Sequence, residues 1–175
     1  LLRRIVTGYI KSEEAVEKLS EYQIQLWKNN GVRGVLLIMN LEDHDMLLKL
    51  LEIMNKTIGE KKYGYFFLEK NKIFFVIEET PEIKDLLGTA FEQIIELGKD
   101  GMVAASVSSY YGKIDDSPKI LSECEEALVD TMRDERKTLI FYEDYIEYMQ
   151  QISHSYPVNF DRYRIAVKSG DQEEA

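Results

Sequence analysis

The chain is poor in the residues that form covalent or metal cross-links. Its 175 residues include one cysteine and two histidines, His44 and His154, which lie far apart. A single cysteine excludes an internal disulfide framework and a cysteine-based zinc site. Two distant histidines argue against a histidine-rich metal centre. We therefore expect no metal and no cofactor.

Long apolar runs are also missing. No stretch approaches the roughly 18 consecutive apolar residues of a membrane-spanning helix. The first residues, Leu1-Leu2-Arg3-Arg4, lead into an amphipathic pattern and not into the apolar core of a signal peptide. We expect no membrane partner. A lone thiol is typical of the reducing cytosol, so we expect the protein to be cytoplasmic.

Basic residues are scarce relative to acidic ones. Lysine and arginine number 22 and aspartate and glutamate 32, which gives a net charge of −10. Such a chain repels phosphate backbones. The basic groups at Lys61-Lys62 and at Arg133, Arg136 and Lys137 are small and local. We therefore expect no direct nucleic-acid binding by these residues.

The length and the chain ends predict one domain taken from a longer protein. A typical domain has roughly 100–150 residues, and 45% apolar with 31% charged residues is a globular composition. The sequence begins at Leu1, within a helical pattern and without methionine. It ends at Ala175, shortly after a predicted helix start at Asp171. We expect neighbouring domains on both sides.

Apolar periodicity predicts two short N-terminal helices within residues 1–25, separated by a kink at Gly8, with Ser12 as the cap of the second. A continuous apolar run, Val35 to Met39, is typical of a strand buried on both faces. A helix then follows from Asp43 to Gly59, where glycine ends it. Tyr63–Leu68 and Ile73–Ile77, joined by a polar turn, predict a β-hairpin.

The second half continues the alternation of helices and strands. Thr80 and Pro81 predict the start of a helix, and residues 102–107 a strand. A helix from Asp116 or Ser117, a strand over 138–142 and a helix from Tyr145 follow. The order βαββαβ, with an extra αβ unit, predicts an α+β fold: a ferredoxin-like palm with an antiparallel sheet, flanked by N- and C-terminal helices.

The hairpin carries more apolar residues than one sheet face can bury. Tyr65 and Phe67 point to the face opposite that of Phe66 and Leu68. Something must therefore cover the second face of the sheet. The N-terminal helices of residues 1–25 are one candidate, and a partner subunit is the other.

Residues 102–128 carry a resemblance to a known family. There a strand (Met-Val-Ala-Ala-Ser-Val-Ser-Ser) leads through Ile-Asp-Asp to a helix with Glu-Ala-Leu. This pattern resembles the end of the degenerate GGDEF-like domains of bacterial transcription regulators, both of the PucR/CdaR type and of YesN-like response regulators in the AraC family. The lead-in at 1–24 and the segment at 160–175 are similar to the YesN-like class.

The resemblance implies a position within a two-component response regulator. Its full chain would carry an N-terminal receiver domain, this GGDEF-like palm and a C-terminal AraC-type helix-turn-helix pair, and only the last would bind DNA. We expect a helical lead-in over residues 1–33, the degenerate domain over 34–150, and the start of a helical linker over 151–175.

Active diguanylate cyclases share the implied fold, so their catalytic motif would be expected on the hairpin if this chain were an enzyme. Those enzymes carry Gly-Gly-Asp/Glu-Glu-Phe on the hairpin, where glycines admit the nucleotide and acids hold magnesium. The equivalent turn here is Glu69-Lys70-Asn71-Lys72, with one acid and no glycine. The acids Glu42, Asp43 and Asp45, after the first strand, are better explained by helix capping. We predict no enzyme activity and assign no catalytic residue.

The remaining candidates favour structural roles. His44, between two aspartates, is typical of a helix start, and His154 is predicted to lie in a loop without a companion ligand. Cys124 falls on an apolar helix face, where packing is the common role of cysteine. Tyr110-Tyr111 could line a ligand pocket or pack over the sheet edge, and Trp27 is expected to anchor the N-terminal helices.

These observations predict a non-catalytic regulatory and dimerisation module, with no metal or cofactor-binding residue. We expect a homodimer that relays receiver phosphorylation to the DNA-binding domain of the same chain. A small-molecule sensor domain is the alternative, and an enzyme of nucleotide chemistry is the third hypothesis.

Overall fold

The computed structural model describes residues 1–28, 30–40, 44–98, 101–131 and 137–155. In these ranges the helices are α1 (Leu2–Val6), α2 (Ser12–Glu21), α3 (His44–Thr57), α4 (Ile83–Gly98), α5 (Ser117–Thr131) and α6 (Tyr142–Ser155). The strands are β1 (Val32–Met39), β2 (Tyr63–Glu69), β3 (Lys72–Glu78), β4 (Val103–Val107) and β5 (Lys137–Phe141). A 3₁₀ turn at Ile114–Asp116 precedes α5.

The strands form one mixed sheet in the order β2-β3-β1-β4-β5. The first three pairings are antiparallel, with Leu36 opposite Phe74 and Leu37 opposite Ala105. The last pairing, of β4 with β5, is parallel. The predicted α+β fold is therefore confirmed. The sheet is mixed and not antiparallel throughout as predicted, because the crossover helix α5 joins β4 to β5 and lets the two strands run parallel.

Helices cover both faces of the sheet. One face packs against α3 and α4, through residues such as Leu37, Phe75, Leu50 and Phe91. The other face packs against α5 and against side chains from the N-terminal segment, which include Val6. The N-terminal helices thus cover part of the second face, as one of the two alternatives predicted, and α5 covers more of it.

The interior strand β1 is buried along its whole length, as the apolar run predicts. One of its residues, Gly34, comes especially close to α5. The backbone of Gly34 approaches Ile120 and Phe74 so closely that a Cβ at this position would lie 2.2 Å from a methyl group of Ile120. Glycine is therefore required where α5 crosses β1.

Several local predictions are wrong in detail. Lys11, and not Ser12, is the N-cap of α2, and the hydroxyl of Ser12 donates a hydrogen bond to Asp115 instead. Helix α4 begins at Ile83, two residues after Pro81. His154, expected in a loop, lies in α6. The segment 160–175, which carries part of the resemblance, lies outside the described residues.

The described residues up to Glu143 form one compact unit, and those of α6 from Asp144 onward belong to a second. Within the second unit, α6 exposes three large apolar side chains, Tyr148, Met149 and Ile152. No helix in the described part of the chain has the length and apolar character needed to cross a bilayer.

Candidate functional site

The hairpin turn lies beside the end of β1, where the resemblance would place nucleotide chemistry. The backbone N–H of Met39 donates to the carbonyl of Asn71 at 3.1 Å. The carboxylate of Glu69 pairs with the ammonium of Lys72 at 3.1 Å. Glu69, the single acid of this turn, is therefore paired with a lysine of the same hairpin. This pairing makes its carboxylate a weaker ligand for a metal cation.

The acids after β1 are only partly described. Asp43 lies outside the described residues, while His44 is the exposed first residue of α3 and Asp45 lies in its first turn. Across the described residues, no group of three or more His, Cys, Asp or Glu side chains could hold a metal ion.

A charged cluster lies at the opposite end of the sheet, around Arg33 near the start of β1. Arg33 is only 7% exposed. Its Nε donates to Glu79 at 2.5 Å, and its Nη1 donates to Glu143 at 2.5 Å and to the carbonyl of Ser108 at 3.0 Å. The guanidinium thus joins β1 to the segments that follow β3, β4 and β5.

Electrostatics keep Arg33 charged in this position. Burial alone would lower the pKa of Arg33, but hydrogen bonds and attraction from Glu143 and Glu79 outweigh burial and raise it. The second carboxylate oxygen of Glu143 is buried and has no hydrogen-bond partner among the described residues. The sequence analysis missed this cluster, although one arginine at the start of an apolar strand is a visible signal for a buried ion pair.

Tyr110 and Tyr111 make different contacts. Tyr111 forms a bridge with Val32, and its hydroxyl donates to Glu123 of α5, which also accepts the backbone N–H of Ser109 at 2.8 Å. Burial and this hydrogen bond raise the pKa of Tyr111 above its ordinary value. The ring of Tyr110 covers Gly31 and is half exposed. The pair therefore packs at the start of β1, which is an interior strand, and not over an edge of the sheet as one alternative predicted.

Cys124 occupies the core, as its position on an apolar helix face predicts. It is fully buried on α5, and its Sγ lies 3.5 Å from the carbonyl oxygen of Gly34. Burial raises the pKa of the Cys124 thiol to about 12. A thiol with this pKa remains protonated at neutral pH and is a poor nucleophile.

Trp27 packs with the N-terminal helices and with the core beneath α5, as predicted. It has a left-handed backbone, with φ of 63°, and so has Gln23, with φ of 55°. Both residues line an open cavity of about 490 Å³, together with Leu19, Ile24 and Ile114. The volume and the apolar and aromatic wall are within the range of small-molecule sites.

The outer strand β2 exposes aromatic side chains. Tyr65 is 38% exposed and Phe67 39% exposed, and their rings contact each other with centroids 6.4 Å apart. Tyr65 also contacts Phe75 of the neighbouring strand at 5.9 Å. Among the described strands, none pairs with the outer side of β2.

The comparisons with known proteins give no further identification. No protein-family model matches the chain, and no curated protein matches its sequence.

Proposed function

We propose that the chain is a non-catalytic regulatory and dimerisation module of a cytoplasmic two-component transcription regulator of the YesN-like type. The observation that carries the proposal is the hairpin turn. The palm fold is intact, but the turn that would hold magnesium and nucleotide carries Glu69 paired with Lys72. A palm whose hairpin turn lacks the glycine pair and holds its one acid against a lysine is suited to transmit and to associate, not to catalyse.

The Arg33 cluster supports a relay role. Arg33 holds the segments after β3 and β4, through Glu79 and Ser108, and also Glu143, the second residue of α6. A signal that weakens the contact between Arg33 and Glu143 would loosen the start of α6. In the proposed regulator, receiver phosphorylation changes the freedom or spacing of two DNA-binding heads through this module. The DNA contact belongs to the helix-turn-helix domain of the same chain.

The regulator class is tested by reading the coding sequence on both sides of these residues. We expect a receiver domain upstream and two helix-turn-helix units downstream. An open reading frame that holds neither would overturn the proposed regulator.

The absence of catalysis is tested by incubating the chain with GTP and magnesium, followed by chromatography of the nucleotides. We expect GTP to be recovered unchanged. Formation of a cyclic dinucleotide or release of pyrophosphate would contradict the non-catalytic part of the proposal. An active diguanylate cyclase in the same buffer is the positive control.

The cavity beside Trp27 favours a second candidate function, a small-molecule sensor. Trp27 is the single tryptophan of the chain, so its fluorescence reports directly on the cavity wall. A metabolite screen by thermal shift, followed by fluorescence titration, tests this function. A ligand that raises the melting temperature and changes Trp27 fluorescence with the same saturation would support it. No stabilisation by nucleotides, sugars or organic acids would remove it.

A further inference from the structure

We infer that the cavity beside Trp27 binds a small organic monocarboxylate, whose apolar or aromatic body lies against the indole ring and whose carboxylate pairs with Lys28. This inference rests on the second candidate function, the small-molecule sensor, and deepens it by naming the class of ligand. The cavity of about 490 Å³ lies between the end of α2, the segment 23–28 and Ile114.

The charge of the cavity wall differs from that of the chain. The chain has 32 acidic and 22 basic residues, yet none of the described residues that line the cavity is Asp or Glu. Lys28 is the one charged residue of this described wall, and it takes part in none of the ion pairs among the described residues. An exposed ammonium in a wall without carboxylates favours an anionic ligand.

The net charge of the whole chain limits how much negative charge the ligand carries. At −10, the chain repels polyanions such as nucleoside triphosphates. The acids nearest in sequence, Glu17 and Glu21 of α2, are exposed and do not belong to the described wall. One negative charge, placed at Lys28, is therefore the best match.

The remainder of the wall provides hydrogen-bond donors and an apolar surface. Ser20, Gln23 and Gln25 add a hydroxyl and two amides to the ammonium of Lys28, and each of these groups can donate to a carboxylate oxygen. The other described wall residues are apolar: Val16, Leu19, Ile24, Leu26, Trp27 and Ile114. A ligand with one acid group on an apolar body matches both parts.

Gln23 occupies a backbone position where glycine is the usual residue. The N–H of Gln23 donates to Ser20 at 3.0 Å and the N–H of Ile24 donates to Leu19 at 2.9 Å, which is the Schellman arrangement at the end of a helix. Its left-handed residue is commonly glycine, but here it is Gln23, with φ of 55°. The chain thus keeps an amide side chain at a position that disfavours one.

Trp27 repeats this feature four residues later. The N–H of Lys28 donates to the carbonyl of Gln25 at 3.0 Å, so Trp27 is the third residue of a tight turn. A positive φ at this place favours glycine or asparagine, but Trp27 has φ of 63°. Two strained residues whose side chains line one cavity indicate a binding site, because such strain is concentrated at ligand sites.

The indole N–H of Trp27 gives an independent indication of a ligand. Its Nε1 is buried and has no hydrogen-bond partner among the described residues, whereas a buried indole N–H usually has an acceptor. A carboxylate that draws the ring toward the cavity supplies that acceptor. We therefore expect binding to change the fluorescence of Trp27.

The first experiment titrates the chain with three probes that have the same ring and differ in charge: phenylacetate, phenylacetamide and 2-phenylethylamine. We expect phenylacetate to change Trp27 fluorescence with saturation. Phenylacetamide is expected to bind at least about tenfold more weakly, because it loses the charge-assisted hydrogen bond. Equal affinity for the acid and its amide would overturn the proposed carboxylate site.

Variants of Lys28 test the position of the carboxylate. Lys28→Gln is expected to remove the preference for phenylacetate over phenylacetamide, and Lys28→Arg is expected to retain it. The matched control is Lys49→Gln, at an exposed position of α3 on the other face of the sheet, which should bind phenylacetate as the wild type does. A preference that survives Lys28→Gln would overturn the assignment of the carboxylate to Lys28.

Val16 and Gln23 test the wall without disturbing the core. Val16 is 58% exposed, so Val16→Asp and Val16→Asn should both fold, and only the aspartate is expected to weaken phenylacetate binding. Gln23→Gly relieves the left-handed backbone, so we expect an unchanged or higher melting temperature together with a lower affinity. A Gln23→Gly chain that binds phenylacetate as tightly as the wild type would overturn the place of Gln23 in the site.

The outcomes separate this ligand class from the proposed functions. A sugar or nucleotide that saturates the Trp27 signal, with no response to phenylacetate or to the aliphatic acid 4-methylpentanoate, would overturn the carboxylate class and keep the sensor. No response to any of these compounds at their solubility limits would overturn the carboxylate class and the sensor together. Neither result would alter the outcome of the GTP experiment or of the reading of the flanking sequence.

Discussion

Strands β1 and β2 are both rich in apolar residues, but the fold treats them differently. All eight residues of β1 are buried, whereas β2 alternates half-buried and exposed positions. The difference follows from their places in the sheet, because β1 lies between two strands and β2 has a neighbour on one side. The apolar residues of an interior strand are buried against the helices of the same chain. Apolar excess on an edge strand is available to a partner.

Truncation of one residue in each strand gives the largest expected contrast. Leu37→Ala in β1 removes a side chain that is 1% exposed in the core beneath α3 and α4. We expect it to lower the free energy of unfolding by about 2–5 kcal/mol. Tyr65→Ala in β2 is expected to cost about 1 kcal/mol, because its side chain is partly solvated. Urea unfolding at low chain concentration measures both, and equal losses would contradict the comparison.

Arg33 gives the next largest effect, at the start of β1. Arg33→Met removes the cation between two carboxylates and leaves the Ser108 carbonyl without its donor. We expect a loss of about 2 kcal/mol, less than for a fully buried pair because both acids are partly exposed. Glu143→Gln should cost less, since Glu79 still pairs with the arginine. An Arg33→Met variant with an unchanged free energy of unfolding would show that the cluster does not stabilise the fold.

Tyr111 tests the contact between β1 and α5. Tyr111→Phe keeps the ring and removes the hydroxyl that donates to Glu123. We expect a loss of about 1–1.5 kcal/mol, since the acceptor is charged and only partly solvated. The matched control is Tyr110→Phe, whose half-exposed ring is expected to tolerate the change. Equal losses for both variants would contradict the assignment of the packing role to Tyr111.

Cys124, beneath β1, gives the smallest effect and a pH dependence. Its pKa is raised to about 12 in the folded state, so above pH 9 the unfolded chain releases the thiol proton first and stability falls as pH rises. Between pH 8 and 10 we expect this to remove about 1 kcal/mol. Cys124→Ala should lose stability by packing at both pH values but lack this slope. Parallel pH profiles for the two proteins would contradict the buried thiol.

The elements were predictable because each follows from local pattern. The hairpin, the interior strand and the α+β order are read from runs of apolar residues and from turn residues such as those near Asn71. The parallel β5 and the side of the sheet taken by α5 were not predictable, because they depend on how distant segments pack. The Arg33 cluster joins residues up to 110 positions apart, and no local pattern links them.

Ser12 and His154 are cases in which a local pattern gave a wrong prediction. Ser12 has the residue type of a cap, but its hydroxyl bonds to Asp115, which is brought close only by the folded chain. His154 follows a helical pattern whose end the local sequence does not mark, and α6 continues through it. Propensity describes what a residue can do locally, and tertiary contacts decide which option is used.

Amide hydrogen exchange along β1 and β2 tests the comparison most directly, because it reads the two strands residue by residue. The account predicts slow exchange along β1, which is paired on both sides. In β2 it predicts slow exchange of Gly64 and Phe66, which bond to β3, and rapid exchange of Tyr63, Tyr65 and Phe67, whose amides point away from β3. Uniformly slow exchange along β2 at low chain concentration would contradict the claim that this strand lies at the edge of the sheet.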